Sequence, residues 1–334
     1  MNITRKISHE TRDKEDVMKK GIVTLFSLLA FLTVLSVNDC LAQRAKTFNG
    51  NPINGNVLFG RKDLSKYNLG QYAHGGAGTV RYMELTPREK FTSQFMFVHR
   101  GVFDPKSGIG EHAHRWMEEM YFVMDNNTAE FTVNGITAEL PGPCMVLCPM
   151  GSSHGIYNRS DKVMEWMNLG VTLRDHKYDA VNFSKQDDLV NVELVSPPPF
   201  LWSVIDKRLC MNHPVENFMG GSGTMYYRRI WGDDNFKTNW LFVNHYVVPP
   251  GSVIGYHRHD HIEEIYYVLS GTGRMTIYDV TVDVKADDVG SCILHGAHGF
   301  WNNSNEDVEI LSIAVAMVKG VIQHTELDVD LTKR

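Results

Sequence analysis

Six histidines and two glutamates of this chain fall into one pattern written twice. His112-x-His114-x4-Glu119 recurs as His257-x-His259-x4-Glu264, and each copy is followed downstream by His-x3-Asn, at His154/Asn158 and His298/Asn302. Three imidazoles and one carboxylate make a coordination set for a divalent transition ion. A closed structural zinc site would more often draw on cysteine. Side chains at i and i+2 of a strand share a face, so the two histidines of each pair converge on one point. Four intervening residues then suffice to enter a neighbouring antiparallel strand. Alternation along that strand turns Glu119 and Glu264 inward and sends Glu118 and Glu263 outward. His154 and His298 supply the fourth ligand of each set.

The expected cofactor is therefore a divalent transition metal (Zn, Mn, Fe or Ni), one or two per chain. The metal ligands are His112, His114, Glu119 and His154 in one set, and His257, His259, Glu264 and His298 in the other. Tyr121 and Tyr266 lie two residues beyond each metal glutamate, on the same face, and are the candidate catalytic groups as general bases or hydrogen-bond donors. Tyr157 and Trp301, just ahead of the two asparagines, are placed to line the mouth or to pack. His99, His245, His261 and His295 are further imidazoles that could carry protons.

These residues need two equivalent scaffolds, and the chain supplies them. His74-Gly-Gly-Ala-Gly-Thr-Val-Arg-Tyr82 aligns with Met219-Gly-Gly-Ser-Gly-Thr-Met-Tyr-Tyr227 at an offset of 145 residues, without a gap through Val123/Val268, after which the register slips by one. A repeat of this length is a duplicated domain, since solenoid units are far shorter. Short runs rich in Val, Ile, Phe, Tyr and Thr, punctuated by Gly, Pro, Asn and Asp, predict antiparallel all-β barrels or sandwiches. The proline run Ser196-Pro-Pro-Pro-Phe200 marks an inter-domain connection.

The N-terminus carries an address. Lys19 and Lys20 precede an apolar run from Gly21 to Val37, and Cys40-Leu41-Ala42 supplies small-residue punctuation, which predicts a secretory signal cleaved near Ala42. The organisation is thus a signal over 1–42, an N-terminal domain over 43–173, a linker over 174–213 and a C-terminal domain over 214–334. The expected location is periplasmic or secreted, with no membrane association once the signal is removed. Four cysteines remain beyond the signal, too few for a disulfide scaffold, and Cys144 and Cys148 bracket a strand-like apolar run that makes them core thiols. A net charge of -6 without any basic stripe argues against nucleic acid as a partner.

The second copy, Gly251-x5-His257-x-His259-x4-Glu264-x6-Gly271, resembles the first motif of the bicupins, and Pro149-x-Gly151-x2-His154-x3-Asn158 resembles their second. The chain departs from the pattern at Lys106 and Asn126, which replace motif glycines in the first half, and at Ile293 and His295 in the second. No departure removes a ligand. The resemblance, over roughly residues 75–318, implies two tandem double-stranded β-helix (jelly-roll) cupin barrels, each with a metal in its mouth.

Cupins serve many reactions, so the chemistry rests on context. Export and the metal–tyrosine arrangement favour a metal-dependent lyase or dehydratase acting on a sugar acid or uronate-containing oligosaccharide, by proton abstraction next to a metal-bound carboxylate. The alternative is an Fe- or Mn-dependent dioxygenase or decarboxylase, and the second alternative a non-catalytic carbohydrate-binding cupin. The partner expected is a small molecule or oligosaccharide, with homo-oligomerisation left open.

Overall fold

The computed structural model describes residues 47–48, 51–52, 58–183 and 192–334. The segment read as a signal, 1–42, and Cys40 with it, lies outside them. The chain divides into Met1–Ile53 and Asn54–Arg334. In the first unit Thr47–Phe48 pairs antiparallel with Asn51–Pro52.

The second unit is all-β and carries two jelly-roll barrels, each a seven-stranded sheet packed on a five-stranded one. In the N-terminal barrel the large sheet runs Trp202–Val204, Cys144–Cys148, Met117–Val123, Met164–Thr172, Phe95–Phe103, Thr79–Pro87, Asn68–Gln71. The small sheet runs Ile136–Pro141, Thr128–Val133, Ser153–Asn158, Ser107–Ala113, Val181–Asn182. Alternate residues of both sheets interleave as one core: Phe103, Tyr121, Val146 and Trp166 from the large sheet meet Ile109, Phe131 and Ile156 from the small one. The C-terminal barrel repeats this arrangement, its large sheet running Pro214–Glu216, Thr224–Gly232, Trp240–Val248, Val308–Ala316, Ile262–Ser270, Asp288–Cys292, Phe59–Arg61.

Each barrel borrows its edge strand from the segment that precedes the other. Phe59–Arg61, read from sequence as part of an extended entry, pairs with Asp288–Cys292 of the C-terminal barrel. Trp202–Val204, inside the segment read as linker, pairs with Cys144–Cys148 of the N-terminal barrel. The same segment also delivers Val181–Asn182 to the strand that carries His112. The exchange covers two sheet edges that would otherwise stay open to pairing.

Between the barrels the outward glutamates serve as anchors. Glu118 accepts hydrogen bonds from the Lys237 and Thr238 backbone N–H groups and from Thr238 Oγ1. Glu263 accepts the equivalent bonds from Thr92 N and Ser93 N, and a further one from Leu294 N. Arg100, also buried, bridges Asp287, Glu165 and Tyr267.

The departures from the motif keep the local backbone. Lys106 adopts φ +57° where Gly251 has +78°, and His295 adopts +62° where Gly151 has +83°, so a left-handed residue stands at each corner whatever its side chain. At the third corner the turn itself changes. Met124–Asn127 connects two strands in the N-terminal barrel where Gly271, at φ +82° and tight against Asp307 O, closes a shorter turn in the other. That is the one-residue slip in the repeat.

Candidate metal centres

The ligands of each set arrive from two facing sheets. Ser107–Ala113 and the adjoining His114 belong to the five-stranded sheet, whereas Glu119 sits on Met117–Val123 of the seven-stranded one. The sequence expectation of one antiparallel neighbour is corrected here: the short link Arg115–Trp116 crosses from sheet to sheet, so imidazoles and carboxylate meet across the barrel interior. His154 stands directly opposite His112 on the paired strand, as His298 does opposite His257. All eight side chains are buried, and within each set the four donor atoms lie within 4.8 Å of one another.

Their hydrogen bonds prepare them for a cation. His112 Nδ1 bonds Gly110 O (2.9 Å) and His114 Nδ1 bonds Asp179 O. In the second set His257 Nδ1 bonds Gly255 O (2.8 Å) and His259 Nδ1 bonds Gln323 O (2.6 Å). A carbonyl only accepts, so Nδ1 carries the proton and the Nε2 lone pair faces inward, the tautomer that binds metal. The metal glutamates are also held: Asn168 Nδ2 donates to Glu119 Oε2 (3.2 Å), and Ser312 Oγ donates to Glu264 Oε1. His114 Nε2 and His259 Nε2 lie 3.3 Å and 3.2 Å from carboxylate oxygens yet make no hydrogen bond, as does neither nitrogen of His298. Lone pairs converging on a carboxylate in a buried space are costly unless a cation sits among them. Each set therefore fits a divalent transition ion on its own geometry, and the protein holds one or two per chain.

The carboxylates draw positive charge into each set: burial would lower His114 and His259, but Glu119 and Glu264 beside them outweigh it and raise both. Burial opposes charge on both glutamates, but the neighbouring imidazoles outweigh it and hold Glu119 and Glu264 well below the usual carboxylate range. Burial, with His154 alongside, drives His112 down to about 2, and burial with His298 and His259 drives His257 well down, so both stay neutral ligands. Tyr121 and Tyr266 are pushed well up by burial and then by the metal glutamates, which makes each a protonated donor rather than a phenolate.

Around the two centres the barrels differ. Beside the first cluster opens a cavity of about 340 Å³ walled by Tyr82, Phe97, Tyr121, Trp166 and Tyr178, with His74, His99, Glu119 and Asn168 as its polar groups. In the C-terminal barrel Tyr246 stands where the first has Gly101, and Ile310 where it has Trp166; these pairs are cross-strand neighbours in both barrels. Tyr246 is 2% exposed, packs edge-on to Tyr266 (6.0 Å between ring centres) and accepts from Asn244 Nδ2 at its hydroxyl.

Other sequence candidates resolve by parity. Tyr157 lies three residues from His154, hence on the opposite face, and packs against Ala77. Trp301, three from His298, packs around Val253 and Tyr256, so neither aromatic lines a mouth. His99 does face the first cavity. His245 pairs with Glu309 (3.1 Å) away from the metal set, His261 is exposed, and His295 approaches Asp260 at 3.4 Å. Cys144, Cys148, Cys210 and Cys292 are free and buried. Sequence reasoning missed His74, Tyr82, Trp166, Asn168 and Tyr178. The signal was present in the repeat, as inward positions where the halves differ: His74 against Met219, Gly101 against Tyr246, Trp166 against Ile310.

Residues 244–314 match the Cupin domain family. An oxalate-binding protein of Thermotoga maritima is 28% identical over 103 residues, which is 31% of this chain and 85% of that protein. Oxalate decarboxylase from Bacillus subtilis has a similar structure, with a TM-score of 0.51, 20% identity, and 82% of this chain and 80% of that one covered. Salicylate 1,2-dioxygenase from Pseudoaminobacter salicylatoxidans, in its gentisate adducts, is similar at a TM-score of 0.52 and 14% identity, covering 70% of this chain and 73% of that one. Likeness at these identities is likeness of fold.

Proposed function

We propose, from two tandem jelly-roll barrels that each bury a metal-ligand set, that the chain is an Fe- or Mn-dependent enzyme of the dioxygenase or decarboxylase type, acting on a small ring-bearing carboxylate in the N-terminal barrel. The observation that carries this reading is the aromatic cavity of about 340 Å³ beside the first ligand set. Ligand pockets run from about 300 to 1,000 Å³, so this one suits a single ring and is too small for an oligosaccharide. Among the described residues its lining includes neither Lys nor Arg, which leaves the ion as the counter-charge for an anionic group. When bound, Fe or Mn supplies a Lewis acid for a carboxylate and one-electron chemistry with O2.

The chain's own groups would do the rest. Tyr82, Phe97 and Trp166 clamp the ring and exclude water, Asn168 keeps Glu119 oriented, and Tyr121, kept protonated by burial, donates a hydrogen bond or a proton to the bound molecule. Tyr266 would play the donor role in the C-terminal barrel, but Tyr246 crowds that site, so turnover is assigned to the N-terminal one. Elimination on a uronate oligosaccharide, the first expectation from sequence, is the weaker fit: the cavity is small, and the two enzymes of similar fold are a decarboxylase and a dioxygenase. Decarboxylation of a short aliphatic acid is the second reading, favoured by the match to an oxalate-binding protein. Export remains part of the proposal, with the signal as its support.

The test is reconstitution with Mn or Fe, followed by O2-uptake and CO2-release assays on salicylate, gentisate and oxalate. O2 consumed in proportion to ring carboxylate supports the main reading, and CO2 from oxalate without net O2 consumption supports the second. O2-independent formation of a conjugated double bond from uronates, with no turnover of the other acids, would overturn both.

A further inference from the structure

The segment that leaves the N-terminal barrel after Met164–Thr172 returns over the cavity mouth, pinned by Asp179 O on His114 Nδ1 and by Asp179 Oδ2 on the Arg115 backbone N–H. It presents three side chains in series. Asn182 Oδ1 meets His74 Nδ1 at 2.7 Å, and the Tyr178 hydroxyl meets His74 Nε2 at 3.0 Å. The His74 ring lies flat on the ligand His112, 3.8 Å between centres and 6° from parallel. Tyr178 and His74 both line the cavity, and Tyr178 remains 49% exposed, so the pair stands between chamber and solvent.

The second barrel provides an internal control. Met219 holds the same left-handed conformation as His74 (φ +54° against +53°), so the backbone there belongs to the scaffold. Thr325–Glu326 pairs with the His257 strand as Val181–Asn182 pairs with the His112 strand, and Gln323 O replaces Asp179 O. At these matched places the C-terminal barrel carries Met219, Ile322 and Glu326. One scaffold thus carries a hydrogen-bond chain through His74 at one mouth, whereas at the other Met219 and Ile322 offer no hydrogen-bonding group and Glu326 instead approaches His324 (3.8 Å).

Building on the ring-carboxylate reading, we propose that Tyr178, oriented by His74 and Asn182 and packed edge-on to the ligand His114 (5.2 Å between ring centres), is a specificity-determining residue that selects substrates bearing a ring hydroxyl within its reach. The direction of the chain gives the reason. Asn182 Oδ1 accepts from His74 Nδ1–H, so Nε2 is an acceptor and takes the Tyr178 O–H. The phenolic oxygen keeps its lone pairs for a donor arriving from the cavity. A hydroxyl there gains a bond, whereas an unsubstituted ring leaves the oxygen to water.

The experiment is calorimetric binding of benzoate and of 2-, 3- and 4-hydroxybenzoate to the Mn-loaded protein, in wild type, Tyr178→Phe and His74→Met, with metal content measured in each. In wild type at least one hydroxy isomer binds more tightly than benzoate, by the roughly two- to tenfold that one net hydrogen bond is worth, and equal binding of all four acids would overturn the assignment. In Tyr178→Phe this preference vanishes while benzoate affinity and metal content hold. His74→Met keeps the phenol but frees it, and the preference shrinks. Equal weakening of benzoate and hydroxybenzoates in Tyr178→Phe, or an unchanged preference in both variants, would overturn the assignment while leaving the ring-carboxylate reading intact. Failure of metal-loaded wild type to bind any of the four acids would instead defeat that reading, and the assignment with it.

Discussion

Replacing Glu118 with alanine should cost about 3–5 kcal/mol of stability. The carboxylate is fully buried and receives three donors from the other barrel: Lys237 N at 3.1 Å to both oxygens, Thr238 N at 3.1 Å and Thr238 Oγ1 at 2.8 Å. Thr238 itself is 0% exposed, so both of its donors would be stranded without water, whereas Lys237 N is only partly buried. A stranded buried donor costs about 1–3 kcal/mol. Two of them, with partial relief for the third, give about 3–5 kcal/mol, in line with breaking other buried charged networks. For a body of this size each kcal/mol moves Tm by about 2 °C, so Glu118→Ala should melt roughly 6–10 °C lower. Because the lost bonds join the barrels, the calorimetric transition should also broaden or split. Thr238→Val removes one donor and leaves the carboxylate its other bonds, and should cost only about 1 kcal/mol. Scanning calorimetry on both variants with equal metal content tests the reasoning. A Glu118→Ala loss no larger than that of Thr238→Val would show that the barrels do not depend on this anchor.

Three further outcomes are expected. His112→Ala and His257→Ala should each lower bound metal by one equivalent in elemental analysis, and retention of full metal in either would remove that residue from its set. His99, driven by burial from an ordinary 6.5 down to about 4, stays neutral in the fold while the unfolded chain protonates below 6.5. Stability should therefore be indifferent to this group above pH 6.5 and fall as pH drops from there toward 4, by at most about 1.4 kcal/mol per pH unit. His99→Asn, the residue found at the matching Asn244, should flatten that limb in urea titrations, and an unchanged slope would exclude His99 as its source. Finally, Cys144, Cys148, Cys210 and Cys292 should resist a thiol reagent until the protein is denatured, and then four should react if the leader has been cleaved, five if Cys40 is retained.

What the chain reveals about itself divides along the strands. Positions whose role depends on parity were readable: His112 with His114 and Glu119 against Glu118 follow from alternation checked against a second copy, and His154 joined the first set because its His-x3-Asn motif recurs at His298. Relations between distant strands that no repeated motif marks were not. Nothing in Phe59–Arg61 announces that it will close the sheet of a barrel beginning some 150 residues later, because edge pairing uses backbone groups that every residue has. The mouth of the first site was hidden for the same reason. Tyr178 and Asn182 sit in a segment that reads as linker, and only the pairing of Val181–Asn182 with Ala113 and His112 brings them to the metal. Yet the duplication held the means of finding them. Selection for one shared fold constrains both halves alike, so ligands and corners repeat. A site that must discriminate among small molecules is free to diverge at its walls. The inward and mouth positions where the halves disagree, Gly101 with Tyr246, His74 with Met219 and Tyr178 with Ile322, are therefore where the chemistry of one barrel departs from its twin. Exchanging them, starting with Gly101→Tyr together with Trp166→Ile, should close the first cavity; a Cβ at 101 meets the Arg81 carbonyl and Tyr82 Cβ, so the Thr79–Pro87 strand must give way, and metal content measured alongside separates a filled cavity from a distorted site. A doubly exchanged protein that kept its metal and still bound ring carboxylates would place recognition elsewhere.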